Sequence, residues 1–336
     1  MKIDYRSDTV TKPTPEMKEF MFQAPVGDDV FVEDPSINEL EQFSAEMFGM
    51  EAGIYCPSGT MTNQIAIKAH TNPGDELICS YESHIYRYEG GGIAYNSGVS
   101  ARLIPGDSGL MTLEDVEKNI NPDDIHFPVT RLVSLENTSN RGGGLCYDLS
   151  EIKKISAFCK AKDLKLHLDG ARLFNALVAT KTTAKDYGDA FDSISICLSK
   201  GLGAPVGSVL LGTKETIVKA RRIRKVFGGG MRQAGVIAAG GLFALKNNIE
   251  RLEIDHKHAQ ILAQAALSNP IFEKVEKVET NIVMLYTTIS SAEIVDKLAE
   301  KNVLCYAMGP NKVRMVTHLD ISELQIQQTT EILKTL

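Results

Sequence analysis

Two stretches of the sequence decide the fold of this chain, Leu164-Lys165-Leu166-His167-Leu168-Asp169-Gly170 and Ser193-Ile194-Ser195-Ile196-Cys197-Leu198-Ser199-Lys200-Gly201. Each is a strand-like run that ends in one charged side chain followed by glycine. In an open α/β sheet, ligands bind beyond the carboxyl ends of the strands. We therefore expect Asp169 and Lys200, which carry opposite charges, to meet in one crevice of such a sheet.

The sequence around these stretches, from about residue 50 to residue 215, alternates short strand patterns with helical patterns. Strands are predicted at residues 52–56, 76–80, 101–104, 132–135, 165–168, 193–198 and 208–211, and helices at 61–70, 112–119 and 149–162. Short apolar strands separated by helices are typical of βαβ units. The predicted fold class is α/β, with a mostly parallel sheet covered by helices on both faces.

The remainder of the chain predicts a second, smaller domain. A length of 336 residues suits one large and one small domain. We predict a large domain at residues 1–245, which includes an N-terminal arm at 1–15, and a small α+β domain at 246–336. One long helix is expected at 233–266 as the link between them. The tail then predicts strands at 280–287, 303–306 and 312–317, and helices at 291–301 and 322–333.

The composition argues against several classes of function. The formal net charge is −7, which argues against a nucleic-acid partner. The longest apolar stretches are far too short to cross a bilayer, and the first residues lack the apolar core of a secretion signal. We therefore expect a cytoplasmic location and no membrane partner. The six cysteines include no C-x-x-C pair and the chain has no H-E-x-x-H motif, so no metal site is expected.

The pair formed by Asp169 and Lys200 suits the cofactor pyridoxal 5'-phosphate (PLP). This cofactor requires a lysine that binds it covalently and an acidic partner for its pyridine nitrogen. A carboxylate at that position keeps the nitrogen protonated, so that the ring can accept the electrons of a broken bond. The alternative is a solvent-exposed lysine and a helix-capping aspartate, both of which are common.

Other polar groups also have a functional and a structural interpretation. Ser58-Gly59-Thr60 follows a predicted strand and opens a helix, where free N–H groups attract phosphate, but the same pattern is ordinary helix capping. His84 lies just past a predicted strand, and its imidazole could contact a cofactor ring or move a proton. His126 could act in the same way. Isolated histidines are more often structural polar residues.

The arginines fall into two groups. Arg172 and Arg314 could each bind a carboxylate through two hydrogen bonds. Arg314 lies among apolar neighbours, where a charged side chain requires a partner. The run of Arg221, Arg222 and Arg224 is most simply interpreted as a solvated helix face.

Several longer motifs resemble those of one family, and together they cover essentially the whole chain. They lie at residues 4–11, 25–30, 58–60, 135–138, 168–172, 197–207, 228–233 and 313–318. The run from Cys197 to Gly207 and the run Gly228-Gly229-Gly230-Met231-Arg232-Gln233 are specific to this family. The chain resembles the low-specificity L-threonine aldolases, which are fold-type I PLP enzymes with an aminotransferase-like large domain.

The resemblance implies a set of residues that bind the cofactor. Lys200 matches the lysine that holds PLP, and Asp169 matches the partner of the pyridine nitrogen. Gly59 and Thr60 match the segment that binds the phosphate. His84 matches the imidazole stacked on the cofactor ring, so it is expected to act in catalysis as well as in binding.

The resemblance also implies a set of residues around the substrate. Ser7, Arg172 and Arg314 match the groups that bind the amino-acid carboxylate, and Arg172 also borders the cofactor. His126 matches a second histidine, close to the substrate hydroxyl. Arg232 matches a residue that reaches the phosphate region from a neighbouring subunit. The resemblance further implies a homotetramer built as a dimer of dimers.

The activity implied by the family is the cleavage of the Cα–Cβ bond of a small β-hydroxy amino acid. L-Threonine and L-allo-threonine would yield glycine and an aldehyde. The alternative is another fold-type I PLP enzyme, either a β-eliminating lyase or an aminotransferase. One position departs from the family, because this chain has Ser139 where many members have histidine. A hydroxyl cannot replace an imidazole in proton transfer near neutral pH.

Overall fold

The computed structural model describes residues 2–106 and 108–336, so Met1 of the predicted arm lies outside the described residues. The thirteen strands in these ranges are β1 Ile3–Asp4, β2 Ala52–Cys56, β3 Glu76–Ser80, β4 Ser100–Ile104, β5 Thr130–Glu136, β6 Lys165–Gly170, β7 Ser193–Cys197, β8 Ser208–Gly212, β9 Phe272–Val275, β10 Ile282–Thr287, β11 Val303–Leu304, β12 Tyr306–Gly309 and β13 Lys312–Val316. The fourteen α-helices in the same ranges are α1 Pro15–Phe22, α2 Pro35–Phe48, α3 Gly59–His70, α4 His84–Arg87, α5 Gly92–Ser97, α6 Leu113–Lys118, α7 Leu149–Ala161, α8 Leu173–Thr180, α9 Ala184–Gly188, α10 Lys214–Val226, α11 Gly235–Asn247, α12 Leu252–Leu267, α13 Ser291–Glu300 and α14 Glu323–Thr335.

The large sheet has seven strands in the order β2-β8-β7-β6-β5-β3-β4. The pairs from β7 to β4 are parallel, whereas β8 is antiparallel to both of its neighbours. All seven strands were predicted from the sequence, and the mostly parallel α/β class is confirmed. Asp169 and the end of β7 therefore lie on adjacent parallel strands, as expected.

Helices cover both faces of this sheet. The evidence is that neighbouring residues of strand β2 pack into different apolar clusters. Tyr55 of β2 belongs to the cluster that contains apolar side chains of α2, α7 and α8. Ile54, one residue earlier, packs against α3 and α10 instead. Successive side chains of a strand point to opposite faces, so these two clusters lie on opposite sides of the sheet. A sheet buried on both faces requires such a double cover.

The small sheet is antiparallel, with the order β12-β13-β10-β9, and it confirms the predicted α+β layer at the end of the chain. The strand predicted at 303–306 is wrong as one element, because its residues belong to two strands. β11 pairs with β1 of the N-terminal arm, and β12 pairs with β13. The arm is thereby attached to the C-terminal part of the chain. No helix among the described residues is long and apolar enough to cross a membrane.

The single long helix predicted at 233–266 is also wrong. The chain forms α11 and α12, which are separated by a turn that starts at Asn248. The side chain of Asn248 is buried and donates to the carbonyl oxygen of Leu202 at 2.7 Å, which anchors the turn beside the segment that follows Lys200. The turn redirects α12 so that it packs on the small sheet and on α14.

The apolar core is divided in a way that agrees with two domains. One large cluster contains residues between Met17 and Leu252, and a second contains Ile3, Tyr5 and residues from Ala259 onward. We propose that these clusters are the cores of the large domain at 1–245 and of the small domain at 246–336. The N-terminal arm then belongs to the large domain by sequence but packs on the small one.

The arginine run on α10 is not a solvated face. Arg224 is buried, forms an ion pair with Asp29 at 2.7 Å and donates to the carbonyl oxygen of Tyr55 at 2.6 Å. Arg221 pairs with the buried carboxylate of Glu41. Only the third member, Arg222, is exposed as predicted. Residues 221 and 224 are three positions apart and therefore lie on the same face of the helix, the face that contacts the carboxylates of Glu41 and Asp29. The run of charges alone did not predict these ion pairs.

We expect the substitution Gly207→Ala to lower the free energy of unfolding by about 1–3 kcal/mol, the usual range for overpacking a core. Gly207 has a φ of +111°, and a Cβ there would overlap the ring of the fully buried Tyr55. Gly74 is a matched control, because its φ is +93° and a Cβ would meet nothing within 4 Å. Urea unfolding of both variants checks this, and equal losses of stability would contradict the predicted overlap.

Candidate active site

A cavity of about 170 Å³ lies at the carboxyl ends of β6 and β7, where the two decisive stretches of sequence end. Its lining includes five of the residues predicted for the site, namely Lys200, Asp169, His84, Gly59 and Thr60. The structure thus brings the predicted lysine, acid, imidazole and phosphate-binding segment together. The remaining lining residues are Pro57, Ser58, Asn63, Ala171, Ser195, Cys197 and Ser199.

Asp169 is the last residue but one of β6, and Lys200 follows the end of β7 by three residues. Because these strands are parallel neighbours, both side chains reach the same edge of the sheet. The Asp169 side chain is buried, and its carboxylate accepts hydrogen bonds from Asn63 Nδ2 at 3.0 Å and from the N–H of Ala171 at 3.1 Å. Helix α8 starts only at Leu173, so Asp169 is a strand residue rather than a helix cap.

The first turn of α3 is arranged to bind an anion. Ser58 caps the helix by accepting the N–H of Met61 at 3.1 Å, and the first N–H groups of a helix attract anions. A Cβ added at Gly59 would meet one further atom within 4 Å, the hydroxyl oxygen of Ser208 at 3.4 Å. That hydroxyl is buried and has no hydrogen-bond partner within residues 2–106 and 108–336. These groups fit a phosphate.

His84 is held from two directions at the start of α4. Its backbone N–H donates to Glu136 Oε2 at 2.6 Å, and its Nδ1 donates to Glu89 Oε1 at 2.9 Å. Burial on its own lowers the pKa of this imidazole, but the bond to Glu89 and the negative charge of Asp169 raise it overall. The ring also lies 5.6 Å from the ring of Tyr88. The imidazole is therefore fixed in position at the cavity wall.

His84, Glu89 and Asp169 each place one possible ligand atom within 4.8 Å of the others, which is close enough to hold a metal ion. Their contacts favour another interpretation. Asn63 donates to both carboxylates, and Gln64 donates to the second oxygen of Glu89 at 2.7 Å. The carboxylates are thus already bound by amide groups, as expected for the wall of a cofactor site.

Arg172 and Arg314 meet beside the cavity, although they are 142 positions apart in the sequence (314 − 172). Both donate to the side-chain oxygen of Asn140, at 3.3 Å and 2.9 Å respectively. Arg172 also forms two hydrogen bonds to Asp8, at 2.8 Å and 2.7 Å. Arg314 donates to the carbonyl oxygen of Arg6 at 3.0 Å. In the sequence, Ser7 lies between Arg6 and Asp8, and its hydroxyl accepts the N–H of Thr9 at 3.3 Å.

The arginine pair carries more positive charge than its surroundings neutralise. Burial and the adjacent charge of Arg172 lower the pKa of Arg314 to about 10. Burial on its own raises the pKa of Asp8, yet Arg172 and the nearby Lys200 hold it at about 2. The Nε of Arg314 is buried and has no partner among the described residues. An anion such as a carboxylate fits this place.

Two predicted residues belong neither to the cavity lining nor to the arginine cluster beside it. The His126 side chain is 81% exposed, and its Nδ1 donates to Asp124 Oδ1 at 2.7 Å. Arg232 is 57% exposed and pairs with Asp28 at 2.9 Å. Neither residue lines the cavity. Their roles at the substrate and at a neighbouring phosphate stay predictions.

The position that departs from the family pattern, Ser139, lies outside the cavity lining. The hydroxyl of Ser139 donates to the carbonyl oxygen of Ser108 at 2.6 Å and accepts the N–H of Gly142 at 3.2 Å. Its side chain is buried, and it is not part of the cavity lining. Ser139 therefore ties two loops together through backbone contacts.

Sequence reasoning missed five polar residues that hold the site, namely Asp8, Asn63, Glu89, Glu136 and Asn140. Three of them lie in or beside motifs that were recognised, at residues 4–11 and 135–138, and could have been found by asking what those motifs bind. Burial and the charge of Asp169 raise the pKa of Glu136 to about 7. Asn63 had no local signal, because its carboxylate partners and His167 are distant in sequence. Glu89 lies five positions after His84 but outside every recognised motif.

Comparison with known proteins decides the family. The family described as beta-eliminating lyase matches residues 4–290. The chain belongs to this family. It is 42% identical to the low specificity L-threonine aldolase of Escherichia coli (strain K12), with 97% of this chain and 96% of that protein covered. It is 41% identical to the probable low-specificity L-threonine aldolase 2 of Arabidopsis thaliana, with 97% and 94% covered.

Comparison with solved structures gives the same result for the fold. The structure of a Leishmania major threonine aldolase matches 99% of this chain and 98% of its own, with a TM-score of 0.87 and 22% sequence identity. The resemblance inferred from the motifs is therefore confirmed, and so is the aminotransferase-like fold. Membership of this family implies PLP as the cofactor. Lys200, the buried carboxylate of Asp169 and the Ser208 hydroxyl, which has no partner in the described part of the chain, fit that group.

We expect Asp8→Asn to lower the free energy of unfolding at pH 7 by about 3–5 kcal/mol, because it leaves the buried Arg172 without its charge partner. The ordinary pKa of Asp8 is 3.8, and in the folded protein it is about 2. Its contribution is therefore complete above pH 3.8 and is lost as the pH falls through about 2. Urea unfolding of both proteins should show a difference that is constant from pH 7 to pH 5 and shrinks below pH 4.

A matched control lies in the same arm. Asp4 forms an ion pair with the half-exposed Arg6 at 2.6 Å, and exposed pairs of this kind contribute about 0–1 kcal/mol. Asp4→Asn should therefore have a small effect at every pH. A loss as large as that of Asp8→Asn would mean that the arm, rather than the buried pair, determines stability.

Proposed function

We propose that this protein uses PLP to cleave the Cα–Cβ bond of L-threonine, L-allo-threonine and related β-hydroxy amino acids, releasing glycine and an aldehyde. The proposal depends on one observation above all, the arginine pair beside the cavity of Lys200 and Asp169. A side-chain carbon at Gly201, next to Lys200, would lie 4.0 Å from Asp8, which binds Arg172. The relatives named above are L-threonine aldolases, which favours this reaction over β-elimination or transamination.

The residues of this chain divide the work in the proposed mechanism. Bound PLP supplies an electron sink for the breaking bond. Asp169 keeps a proton on the pyridine nitrogen, and the first turn of α3 with Ser208 binds the phosphate. Arg172 and Arg314 bind the α-carboxylate of the substrate. Because Arg172 and Arg314 fix that carboxylate, they determine how the bonds of Cα are oriented relative to the cofactor.

The β-hydroxyl proton must leave before the aldehyde can form. His84 is held by Glu89 at the cavity wall, where it can orient the substrate. We propose that both histidines mainly orient the substrate and that the hydroxyl proton would pass to water or to the phosphate of bound PLP, since Ser139 replaces an imidazole present in many relatives. His126 would then contact only the hydroxyl of the substrate, directly or through a water.

The proposed activity predicts that purified protein with PLP converts L-threonine and L-allo-threonine into glycine and acetaldehyde. Lys200→Ala should lose nearly all turnover, because no other lysine lines the described cavity. Lys118→Ala removes an exposed lysine on α6 and should keep full activity. Formation of 2-oxobutanoate and ammonia from threonine would instead identify the enzyme as a lyase of the β-eliminating type. Formation of a keto acid together with pyridoxamine phosphate would identify it as an aminotransferase.

The two histidines should differ in their effects. His84→Asn should alter the absorbance spectrum of bound PLP and lower kcat. His126→Asn should leave the spectrum unchanged and raise KM or change the ratio of threonine to allo-threonine cleavage. A sole catalytic base contributes about 10²–10⁴-fold to rate. Steady-state kinetics on both diastereomers measure this, and a His126→Asn enzyme with unchanged KM and ratio but kcat lower by about 10³-fold would make His126 the base.

We also propose a homotetramer in the cytoplasm, in which Arg232 completes the site of a neighbouring subunit. Arg232 bonds to Asp28, beside a segment where Phe31 is 70% exposed and Val32 is 54% exposed. Exposed apolar side chains grouped around a charged residue favour a subunit contact. Light scattering should give the mass of four chains.

Subunit mixing tests the shared site directly. Lys200→Ala and Arg232→Ala chains should each be nearly inactive, and their mixture after reassembly should regain activity. A hybrid pair would contain one site with both native residues only if Arg232 acts across the interface. Mixing without any recovery, although hybrids are present, would place Arg232 in the site of its own chain.

A further inference from the structure

Asn63 lies one turn into α3, in the wall of the cavity, and its amide joins two buried carboxylates. Both hydrogens of Nδ2 are donated, one to Asp169 Oδ2 at 3.0 Å and one to Glu89 Oε1 at 2.9 Å. Glu89 is the residue that fixes the imidazole of His84. One buried amide thus contacts the expected partner of the pyridine nitrogen and the anchor of the ring-facing imidazole.

The orientation of this amide is fixed by His167. The side-chain oxygen of Asn63 accepts the Nε2–H of His167 at 3.2 Å. The other ring nitrogen of His167 accepts the hydroxyl of Ser193 at 2.8 Å, and Ser193 in turn accepts from His70 Nε2 at 2.8 Å. Every donor in this series of hydrogen bonds faces an acceptor. The amide of Asn63 therefore cannot rotate by 180° without breaking its contacts with Asp169, Glu89 and His167.

The charge state of His167 supports the same hydrogen-bond direction, with His167 as the donor and the oxygen of Asn63 as the acceptor. Burial and the neighbouring His70 lower the pKa of His167 to about 3, so its imidazole is neutral near pH 7. A neutral imidazole has one donor and one acceptor nitrogen, which matches its two partners. A protonated ring would instead place a second donor against the Ser193 hydroxyl. His167 therefore acts as a fixed donor to Asn63.

We propose that Asn63, oriented by His167, is a positioning residue that sets both Asp169 and the pair of Glu89 and His84 for work on the cofactor. This inference deepens the proposed function and rests on it. Without the amide, the N–H of Ala171 would be the one remaining donor to the Asp169 carboxylate among the described residues, and Glu89 would lose one of its three donors. Two buried carboxylates would then repel each other with no donor between them.

The test uses variants that remove the donors with little change in shape. Asn63→Asp has nearly the same volume but no N–H, and Asn63→Ala removes the whole amide. His167→Asn loses the nitrogen that reaches Asn63, whereas His167→Gln can still present an amide N–H at the place of Nε2. We therefore expect the Gln variant to recover most of what the Asn variant loses.

The readouts separate positioning from a purely structural role. PLP labelled with ¹⁵N reports whether its pyridine nitrogen is protonated, and titration of apoprotein gives the dissociation constant of PLP. We expect Asn63→Ala, Asn63→Asp and His167→Asn to shift the nitrogen signal toward the unprotonated form. By analogy with groups that orient metal ligands from behind, kcat and cofactor affinity should each fall about 10- to 100-fold. KM for threonine should stay within about twofold, because the arginine pair is untouched.

A matched control exists on α12. His256 Nε2 bonds to Asn175 at 3.0 Å, so His256→Asn removes a similar imidazole–amide contact outside the cavity lining. It should leave the nitrogen signal and PLP affinity unchanged. If the Asn63 and His167 variants lost thermal stability but kept the native nitrogen signal, PLP affinity and kcat, the proposal would be overturned. The ¹⁵N signal and the PLP affinity need no substrate, so a wild-type enzyme that fails to cleave threonine would refute the proposed function and leave this result separate.

Discussion

The buried ion pair between Asp8 and Arg172 is the contact on which the rest of the site depends. Asp8 belongs to the N-terminal arm and Arg172 follows β6, so the pair fastens the arm across the carboxyl edge of the large sheet. The same carboxylate accepts a hydrogen bond at 3.3 Å from Asn281, which precedes β10 of the small sheet. One carboxylate therefore joins the arm and both sheets where Arg314 arrives from β13.

Two polar networks meet behind the cavity, and Glu136 connects them. Its carboxylate accepts the N–H of His84 at 2.6 Å and the N–H of Asn140 at 2.8 Å. His84 belongs to the network that faces the cofactor, and Asn140 belongs to the arginine pair that faces the substrate. Burial and the negative charge of Asp169 raise the pKa of Glu136 to about 7. Cofactor and substrate contacts are thus mechanically linked through one strand end.

The sequence predicts those parts of the molecule that depend on local pattern. The seven strands of the large sheet, and the meeting of Asp169 with Lys200, follow from short runs and from the rule for parallel sheets. The partners of Asn63 could not be predicted, because Asp169 and His167 lie 106 and 104 positions away and amides carry no charge signal. The break between α11 and α12 was missed because helical periodicity continues through the turn at Asn248.

The assignment of Lys200 as the cofactor lysine is tested most directly by locating PLP on the protein. The holoprotein is reduced with borohydride, digested, and its peptides are analysed by mass spectrometry. A phosphopyridoxyl group on the peptide that contains Lys200, and on no other, is the predicted result. Full incorporation at a different lysine, or none in a protein saturated with PLP, would contradict the placement of the reaction at the ends of β6 and β7.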